Sequence, residues 1–481
     1  MRAPPPPPAR GTARRAGLLA AISAMALSAC ASLPPAAPAR IAKAPQAYET
    51  KASLAAPTAD WPADQWWSAY GDAQLDRLMR EALAGSPTLA SAQARVRRAE
   101  AAAAQQRASE LPSLSANASA QEMKQSYHLG IPPQFVPQGY NDYGRLTLDF
   151  NWELDFWGKN RAAVAAATSE ARAAQADAAE ARLVLSTSIA AAYADLARLY
   201  AERDVAERAV ALQQETTQLV RDRVANGLDT RGEQRQAEAE PLQSRADLAA
   251  LDEQIALTRN RLAALLGAGP DRGLAIAKPS TAALKPFGLP PTLAADLVGR
   301  RPDVAAARWR AEAAASRIKE AKAAFYPNVN LAGFIGVQSL KLDQLFKSGS
   351  DVGSLGPAIS LPIFEGGRLR AGLRGAEADR DAAVASYDAA VTEAFRQVAD
   401  AVASQRALAG QLADSRAALE ASEDAYRIAR LRYQGGLSTY QAVLLSEQAV
   451  LRGRRVVTDL EARAFALDVA LVRALGGGFH A

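Results

Sequence analysis

Residues 146–156 alternate without a break. Leu146, Leu148, Phe150, Trp152, Leu154 and Phe156 are apolar, and Thr147, Asp149, Asn151, Glu153 and Asp155 between them are polar. A period of two puts each set on its own face of a strand. Eleven residues in extended form span about 36 Å, and a tilt near 40° lowers that to about 27 Å, the height of a membrane barrel's apolar band. Three further segments read as weaker strands. Residues 113–121 alternate small apolar residues with Ser, Asn and Gln. Residues 328–338 put Val329, Leu331, Ile335 and Val337 on one face. Residues 355–363 group Leu355, Ile359, Leu361 and Ile363, with Pro357 between them. Polar or Pro-rich stretches at 122–142 and 339–353 read as loops.

Elsewhere the pattern is helical. Residues 161–225 contain no Pro or Gly and stop at Asn226-Gly227, a good helix terminus. At 1.5 Å per residue this predicts a rod of roughly 98 Å. A helix over 229–266 ends at Gly267, and Pro241 inside it predicts a kink. A shorter helix over 88–110 stops before Pro112. Val205, Leu212 and Leu219 recur at seven residues, as do Val384, Val391 and Val398. That spacing favours supercoiled packing against neighbouring helices. Most other seam positions are Ala. Small residues let helices approach closely but bury little surface each, so an isolated hairpin is marginal.

The same order of elements occurs twice, offset by 207 to 215 residues. Ser86-Pro87-Thr88-Leu89 answers to Arg301-Pro302-Asp303-Val304, and Leu111-Pro112 to Tyr326-Pro327. Leu154-Asp155-Phe156-Trp157 answers to Leu361-Pro362-Ile363-Phe364. Asn226-Gly227-Leu228 answers to Gly435-Gly436-Leu437, and Leu266-Gly267 to Leu475-Gly476. The expected organisation is therefore a first repeat over 66–270, a connector over 271–300 and a second repeat over 301–481. The second repeat has a long helix at about 368–434 and a last one at 438–475.

The N-terminus reads as an address. Arg14 and Arg15 precede a short apolar stretch from 16 to 27, and Leu27-Ser28-Ala29 leads into Cys30. A basic region followed by a short apolar one, with small residues before the cleavage point, marks a secretory signal over 1–29. The chain's single cysteine stands directly after it, as in a bacterial lipobox, so Cys30 is the expected lipidation site. Several acyl chains on one residue anchor stably. The Ala- and Pro-rich residues 30–65 read as an extended tether.

The net charge of +5 loses its meaning once the signal is set aside. Residues 1–29 hold four Arg and no acid, leaving 52 basic residues against 51 acidic ones. No basic stripe suggests nucleic acid. One cysteine allows no intrachain disulfide, and the two His, His128 and His480, are too few and too far apart for a zinc site. Phosphate-loop and nucleophile-elbow motifs are missing, so no enzyme and no cofactor are expected.

Four strands cannot close a barrel, and open sheet edges cannot face lipid. If the strands span a membrane, the chain must oligomerise. Two copies would give eight strands and three would give twelve; a conducting pore favours three, because side chains fill an eight-stranded interior.

Several stretches resemble the outer-membrane factor family, the TolC-like channels, and within it the NodT-like lipoproteins that serve RND-type pumps. They are Trp66-Trp67 with Gly71-Asp72 and Leu75-Asp76; Trp152-Glu153-Leu154-Asp155-Phe156-Trp157-Gly158; Arg300-Arg301-Pro302-Asp303-Val304; Ala323-Ala324-Phe325-Tyr326-Pro327-Asn328; 356–368, from Gly-Pro-Ala-Ile to Gly-Gly-Arg; and Arg432-Tyr433-Gln434-Gly435-Gly436. The resemblance implies a mostly α fold with a small membrane β portion. Each protomer would contribute four strands to a homotrimeric twelve-stranded barrel continued by a periplasmic helical tunnel. It implies a passive exit channel for small toxic compounds, with a periplasmic adaptor and an inner-membrane pump of RND type as partners and outer-membrane lipid around it. An outlet for type I secretion uses the same fold. A lipid-anchored periplasmic coiled-coil adaptor is the remote alternative. The turns at Asn226-Gly227 and Gly435-Gly436 would dock the adaptor, and Arg432 and Tyr433 would join the gate constraints. Where the family often places an acid after the second turn, this chain has Leu445, which would form an apolar ring able to close by dewetting.

Overall fold

The computed structural model describes residues 35, 38–128, 130–280, 288–291 and 293–480. Cys30 and the signal segment lie outside the described residues, as does part of the connector. A 3₁₀ turn at Trp66–Tyr70 leads into helix α1 (Ala73–Gly85), followed by α2 (Pro87–Ala108), strands β1 (Ser113–Met123) and β2 (Asn141–Glu153), the long helix α3 (Lys159–Ala225) and α4 (Arg231–Leu265). Two short helices, α5 (Asp271–Leu274) and α6 (Leu293–Arg300), occupy the expected connector. Then come α7 (Pro302–Ala323), β3 (Asn328–Ser339), β4 (Asp351–Ser360), the second long helix α8 (Arg368–Gln434) and α9 (Tyr440–Ala474). Helices α3 and α8 have 67 residues each, and α4 and α9 have 35 each.

The compact units do not follow the sequence repeats. One gathers residues 97–172 and 308–385 with the described residues up to Ile41. The other gathers 42–96, 173–307 and 386–481. Each draws on both repeats, because the strands of the two repeats pair with each other and so do the helices.

The first unit is built on one antiparallel sheet in the order β1-β2-β3-β4. Its register sorts the side chains by face. Leu114, Phe150, Gly333 and Leu355 lie in one row across the strands. Ala116, Leu148, Ile335 and Gly353 form the next, and Ala118, Leu146 and Val337 a third. The alternate rows are mainly polar: Ser115 with Asp149, Asn117 with Thr147, Ser119 with Arg145 and Gln338, with Phe334 and Val352 as the apolar members on β3 and β4. On that face Asp149 accepts hydrogen bonds from Asn117 Nδ2 (2.8 Å) and Thr147 Oγ1 (2.9 Å), and the Arg145 guanidinium lies over the Phe334 ring. The apolar row is open to the surroundings, with Leu114, Ile335, Leu355 and Ile359 each more than two-thirds exposed. Glycines let β2 and β3 come close: a Cβ on Gly336 would meet the Thr147 Cα at 2.7 Å.

Two strand expectations need correction. The second strand ends at Glu153, so Leu154 and Phe156 lie outside it. Leu154 N–H still donates to Val329 O (2.8 Å). Phe156 N–H then turns back to Leu154 O, Asp155 accepts the Arg161 backbone N–H, and Gly158 takes a left-handed φ of 77° to start α3. Helix capping chemistry thus cuts into an alternation that runs on in the sequence. The strand gains residues at its other end, beginning at Asn141. Likewise β4 is shifted to 351–360, because Pro362 cannot donate to a ladder, while Pro357 is tolerated in a strand paired on one side only.

The second unit is helical. Asp72 caps α1, accepting from the Gln74 and Leu75 N–H groups at 2.7 and 3.0 Å, and also from the Tyr193 hydroxyl and Ser280 Oγ, both at 2.7 Å. Leu75, Leu78, Met79 and Ala82 then share one buried stripe of α1. With Trp66, Trp67 and Tyr70 they pack on Ile189, Tyr193, Leu196, Leu262 and Phe465. Arg301 is 5% exposed; it pairs with Asp303 and donates to Gln397 and to Ala474 O. The heptad positions Val391 and Val398 are buried, as is Val205; Val384, which falls in the first unit, is buried there. Helix α4 continues through Pro241 without a break. Proline deprives the Ala237 carbonyl of its helical partner, and the Thr217 hydroxyl of α3 donates to that carbonyl at 2.6 Å.

Candidate functional site

Each long helix ends in the same way. Gly227 (φ 71°) donates to Val224 O and Leu228 to Arg223 O; Gly436 (φ 74°) donates to Tyr433 O and Leu437 to Arg432 O. These paired bonds satisfy the last carbonyls of α3 and α8 and need a left-handed residue. Gly227 and Gly436 fill that role. Asn226 and Gly435, their neighbours in the turns, do not, although Asn226 Nδ2 donates to Asp222 O (2.7 Å). Leu228 and Leu437 project outward, 63% and 72% exposed. The returning helices start differently. Thr230 and Glu233 form a reciprocal capping box on α4, whereas the Thr439 side chain makes no cap bond on α9.

A charged cluster joins the two turns. Arg223, in the last turn of α3, pairs with Asp229 through Nε–Oδ2 (2.9 Å) and Nη2–Oδ1 (3.3 Å), and its Nη1 donates to Tyr433 O at 2.8 Å. The Tyr433 hydroxyl donates to Asp229 Oδ2, and the Arg223 guanidinium lies 4.4 Å above the Tyr433 ring. Tyr433 is fully buried. Burial first, and then the hydrogen bond to Asp229 and its charge, push its phenol up, so it stays a donor. The Asp229 carboxylate holds the Arg223 guanidinium above its ordinary range.

Further along the same helices lies a second cluster. Glu447 of α9 is 2% exposed and accepts from Thr216 Oγ1 of α3 at 2.8 Å, with Tyr426 of α8 beside it. Burial raises its carboxyl above the ordinary 4.5. The Thr216 and Tyr426 bonds oppose that shift, Glu240 of α4 adds to it and Arg430 of α8 opposes it. Val220, Ala237, Tyr440, Val443 and Leu444 surround these groups as an apolar core.

The residues named from sequence fare unequally. Tyr433 sits in the cluster. The Arg432 side chain is exposed and has no hydrogen bond or ion-pair partner among the described residues; its counterpart one repeat earlier, Arg223, is the arginine that bonds Asp229 and Tyr433 O. Leu445 is 57% exposed on the protomer surface, whereas Glu447 two positions on points inward. The sequence does not single out Arg223, Asp229, Thr216 or Tyr426, and it offers Glu447 only as an acid two positions past Leu445, turned away from the place of the expected gate. The one local signal was Asp229, placed directly after Asn226-Gly227-Leu228. Of the sheet residues, Leu146 and Leu148 lie on the open apolar face, Phe150 and Trp152 are half-buried on it, and Leu154 and Phe156 are beyond the strand. No described helix is long and apolar enough to cross a membrane, and no group of metal-binding side chains occurs among the described residues.

A four-stranded amphipathic sheet feeding two 67-residue helices that end in matched turns is the protomer of a TolC-like outer-membrane channel. The chain belongs to the outer membrane efflux protein family, whose sequence profile matches residues 78–268 and 293–477. It is similar to the outer membrane protein VceC of Vibrio cholerae, with 47% identity and a TM-score of 0.83 over 87% of this chain and 100% of that one. It is 32% identical over 428 residues to the multidrug resistance outer membrane protein MdtP of Shigella flexneri, covering 88% of each chain. It is 41% identical over 325 residues to the fusaric acid resistance protein FusA of Burkholderia cepacia, covering 66% of this chain and 61% of FusA. The protein is an outer-membrane exit channel of an efflux system, with helices extending into the periplasm. Its family is one of channels, not of enzymes.

Proposed function

We propose that three copies of this chain close a twelve-stranded barrel and form the passive outlet of a tripartite pump. The observation that carries this is the sheet. It has one apolar face and one polar face, and β1 and β4 each have a neighbour on one side only. Unpaired backbone groups are costly in hydrocarbon. Sister subunits supply the missing partners, with the row of Leu146, Leu148, Phe150 and Trp152 toward lipid and the Asp149 row toward the lumen. Three copies leave a lumen that two would fill with side chains. The two joined turns meet a periplasmic adaptor, and an inner-membrane pump, of RND type, supplies the energy; the chain itself performs no chemistry. MdtP and FusA are named for drug and fusaric acid resistance. That supports small toxic compounds as cargo over secreted proteins.

Cys30 is the proposed lipid anchor. The Arg40 backbone N–H donates to Asp381 Oδ1 at 3.1 Å. Asp381 lies thirteen residues into α8, a rise of about 20 Å. Ten residues of chain reach up to roughly 35 Å, enough to bring Cys30 back to the level where α8 begins. Mass spectrometry of the N-terminal peptide tests this: acylated Cys30 supports it, and a free thiol overturns it.

The trimer is tested by cysteines placed on the two edge strands, Asn117→Cys in β1 and Ser354→Cys in β4, in a Cys30→Ser background. Oxidation should give a closed three-subunit ladder on non-reducing gels. Exclusively monomeric bands from inserted protein would sink the proposal.

A further inference from the structure

Where the sheet passes into helices, the first unit has a groove of about 500 Å3 between the start of α3 and the end of α7. Short residues line it, Gly158, Ala162, Ala165 and Ala323, of which Ala162 and Ala323 are buried and Ala165 is exposed. Along its rim stand Arg161 in the first turn of α3 and Lys319 and Lys322 near the end of α7. Trp157 and Tyr326 close one end, their rings stacked 4.7 Å apart, with the indole N–H donating to Pro327 O at 2.9 Å.

The charges in this groove are unbalanced. Arg161 is engaged by Asp155 through Nε at 3.3 Å. Neither Lys319 nor Lys322 has an ion-pair or hydrogen-bond partner among the described residues. Three apart on one helix, they share a face and repel each other unless an anion lies between them. The aromatic pair gives the depth. Trp157 follows the last residue of β2 by four positions, and Tyr326 precedes β3 by two. Trp and Tyr gather at the headgroup level of membranes, where one end of the ring is apolar and the other wet.

We propose that this groove binds the phosphate headgroup of an anionic phospholipid in the periplasmic leaflet of the outer membrane. Lys319 and Lys322 hold the phosphate, and the glycerol and first methylenes lie along the Ala lining against Trp157. Such a lipid would fix the height of the barrel at the place where strands become helices. The apolar lining favours an amphiphile over free phosphate. The proposal rests on the membrane placement of the sheet given above.

Native mass spectrometry of the full-length, delipidated protein in detergent tests it, with dipalmitoyl phosphatidylglycerol as the probe. Wild type should retain phosphatidylglycerol in preference to phosphatidylcholine. Lys319→Gln with Lys322→Gln should weaken retention on the order of tenfold or more, and the corresponding Arg substitutions should preserve it. Ala165→Leu, which adds bulk to the lining and leaves the charge unchanged, should also weaken it. Equal retention by wild type and the double Gln variant would overturn the proposal. So would displacement of the lipid by millimolar inorganic phosphate, which would mark a free-anion site. Subunit number is read from the same spectra, so loss of the trimer is seen separately from loss of lipid.

Discussion

Replacing Asp229 with Asn keeps the size of the side chain and removes the charge on which the two turns converge. In the native protein that carboxylate accepts from Arg223 twice and from the Tyr433 hydroxyl. The side chains of Arg223 and Asp229 are 12% and 7% exposed, so water replaces these bonds poorly. Removing one partner of a buried ion pair costs about 3–5 kcal/mol. The Arg223 bond to Tyr433 O survives and some solvent reaches the site, so the lower end applies, about 3 kcal/mol, or on the order of 100-fold in a local opening equilibrium. Tyr433→Phe removes a single bond to a charged acceptor, about 1.5–3 kcal/mol, and should open the turns roughly tenfold or more. The amides of Leu228 and Leu437 report directly, because each donates to the carbonyl that closes its turn. Hydrogen–deuterium exchange by mass spectrometry on detergent-solubilised protein should show both turn peptides exchanging faster in each variant, with Asp229→Asn the stronger. Exchange within about threefold of wild type at both turns would refute the view that this cluster ties them together.

Other consequences follow from single contacts. Burial raises the Glu447 carboxyl above its ordinary 4.5, so the folded state binds this proton more tightly than the unfolded chain does. Its favourable contribution is complete below pH 4.5 and is lost as pH rises through the raised value. Glu447→Gln, which can still accept from Thr216, should therefore melt higher than wild type at neutral pH, with the difference closing toward pH 4.5; a constant difference across that range would contradict this. Thr217→Val leaves the Ala237 carbonyl beside Pro241 without a donor and should cost about 1–3 kcal/mol, read as a lower midpoint in chemical denaturation. Gly336→Val drives a side chain into the Thr147 backbone. Overpacking costs about 1–3 kcal/mol, and backbone atoms cannot rotate away, so heat-resistant folded species on gels should fall sharply.

Period-two alternation located β2 without help from the rest of the chain, because a sheet with one apolar and one polar face imposes that pattern on its sequence. Its end was misplaced because Asp155 and Gly158, which start α3, sit inside a stretch that goes on alternating. Asn226-Gly227 and Gly435-Gly436 marked the ends of α3 and α8, since a left-handed glycine is a local requirement. The ties around those turns were not legible. Tyr433 reaches Asp229 across 204 positions and Thr216 reaches Glu447 across 231, and such pairings leave no periodic trace. Pro241 was legible as a gap in the bonding of α4, but its remedy was not: Thr217 on α3 supplies the donor that the orphaned Ala237 carbonyl lacks. The repeat was visible in the sequence, but not the fact that each compact unit is assembled from parts of both copies.

The most direct measurement of the central claim is the mass of the intact assembly released from detergent in the gas phase. Three chains per particle are expected on the proposed twelve-stranded closure, to which four strands with two unpaired edges contribute a third. A folded, membrane-extracted monomer or dimer would contradict the account.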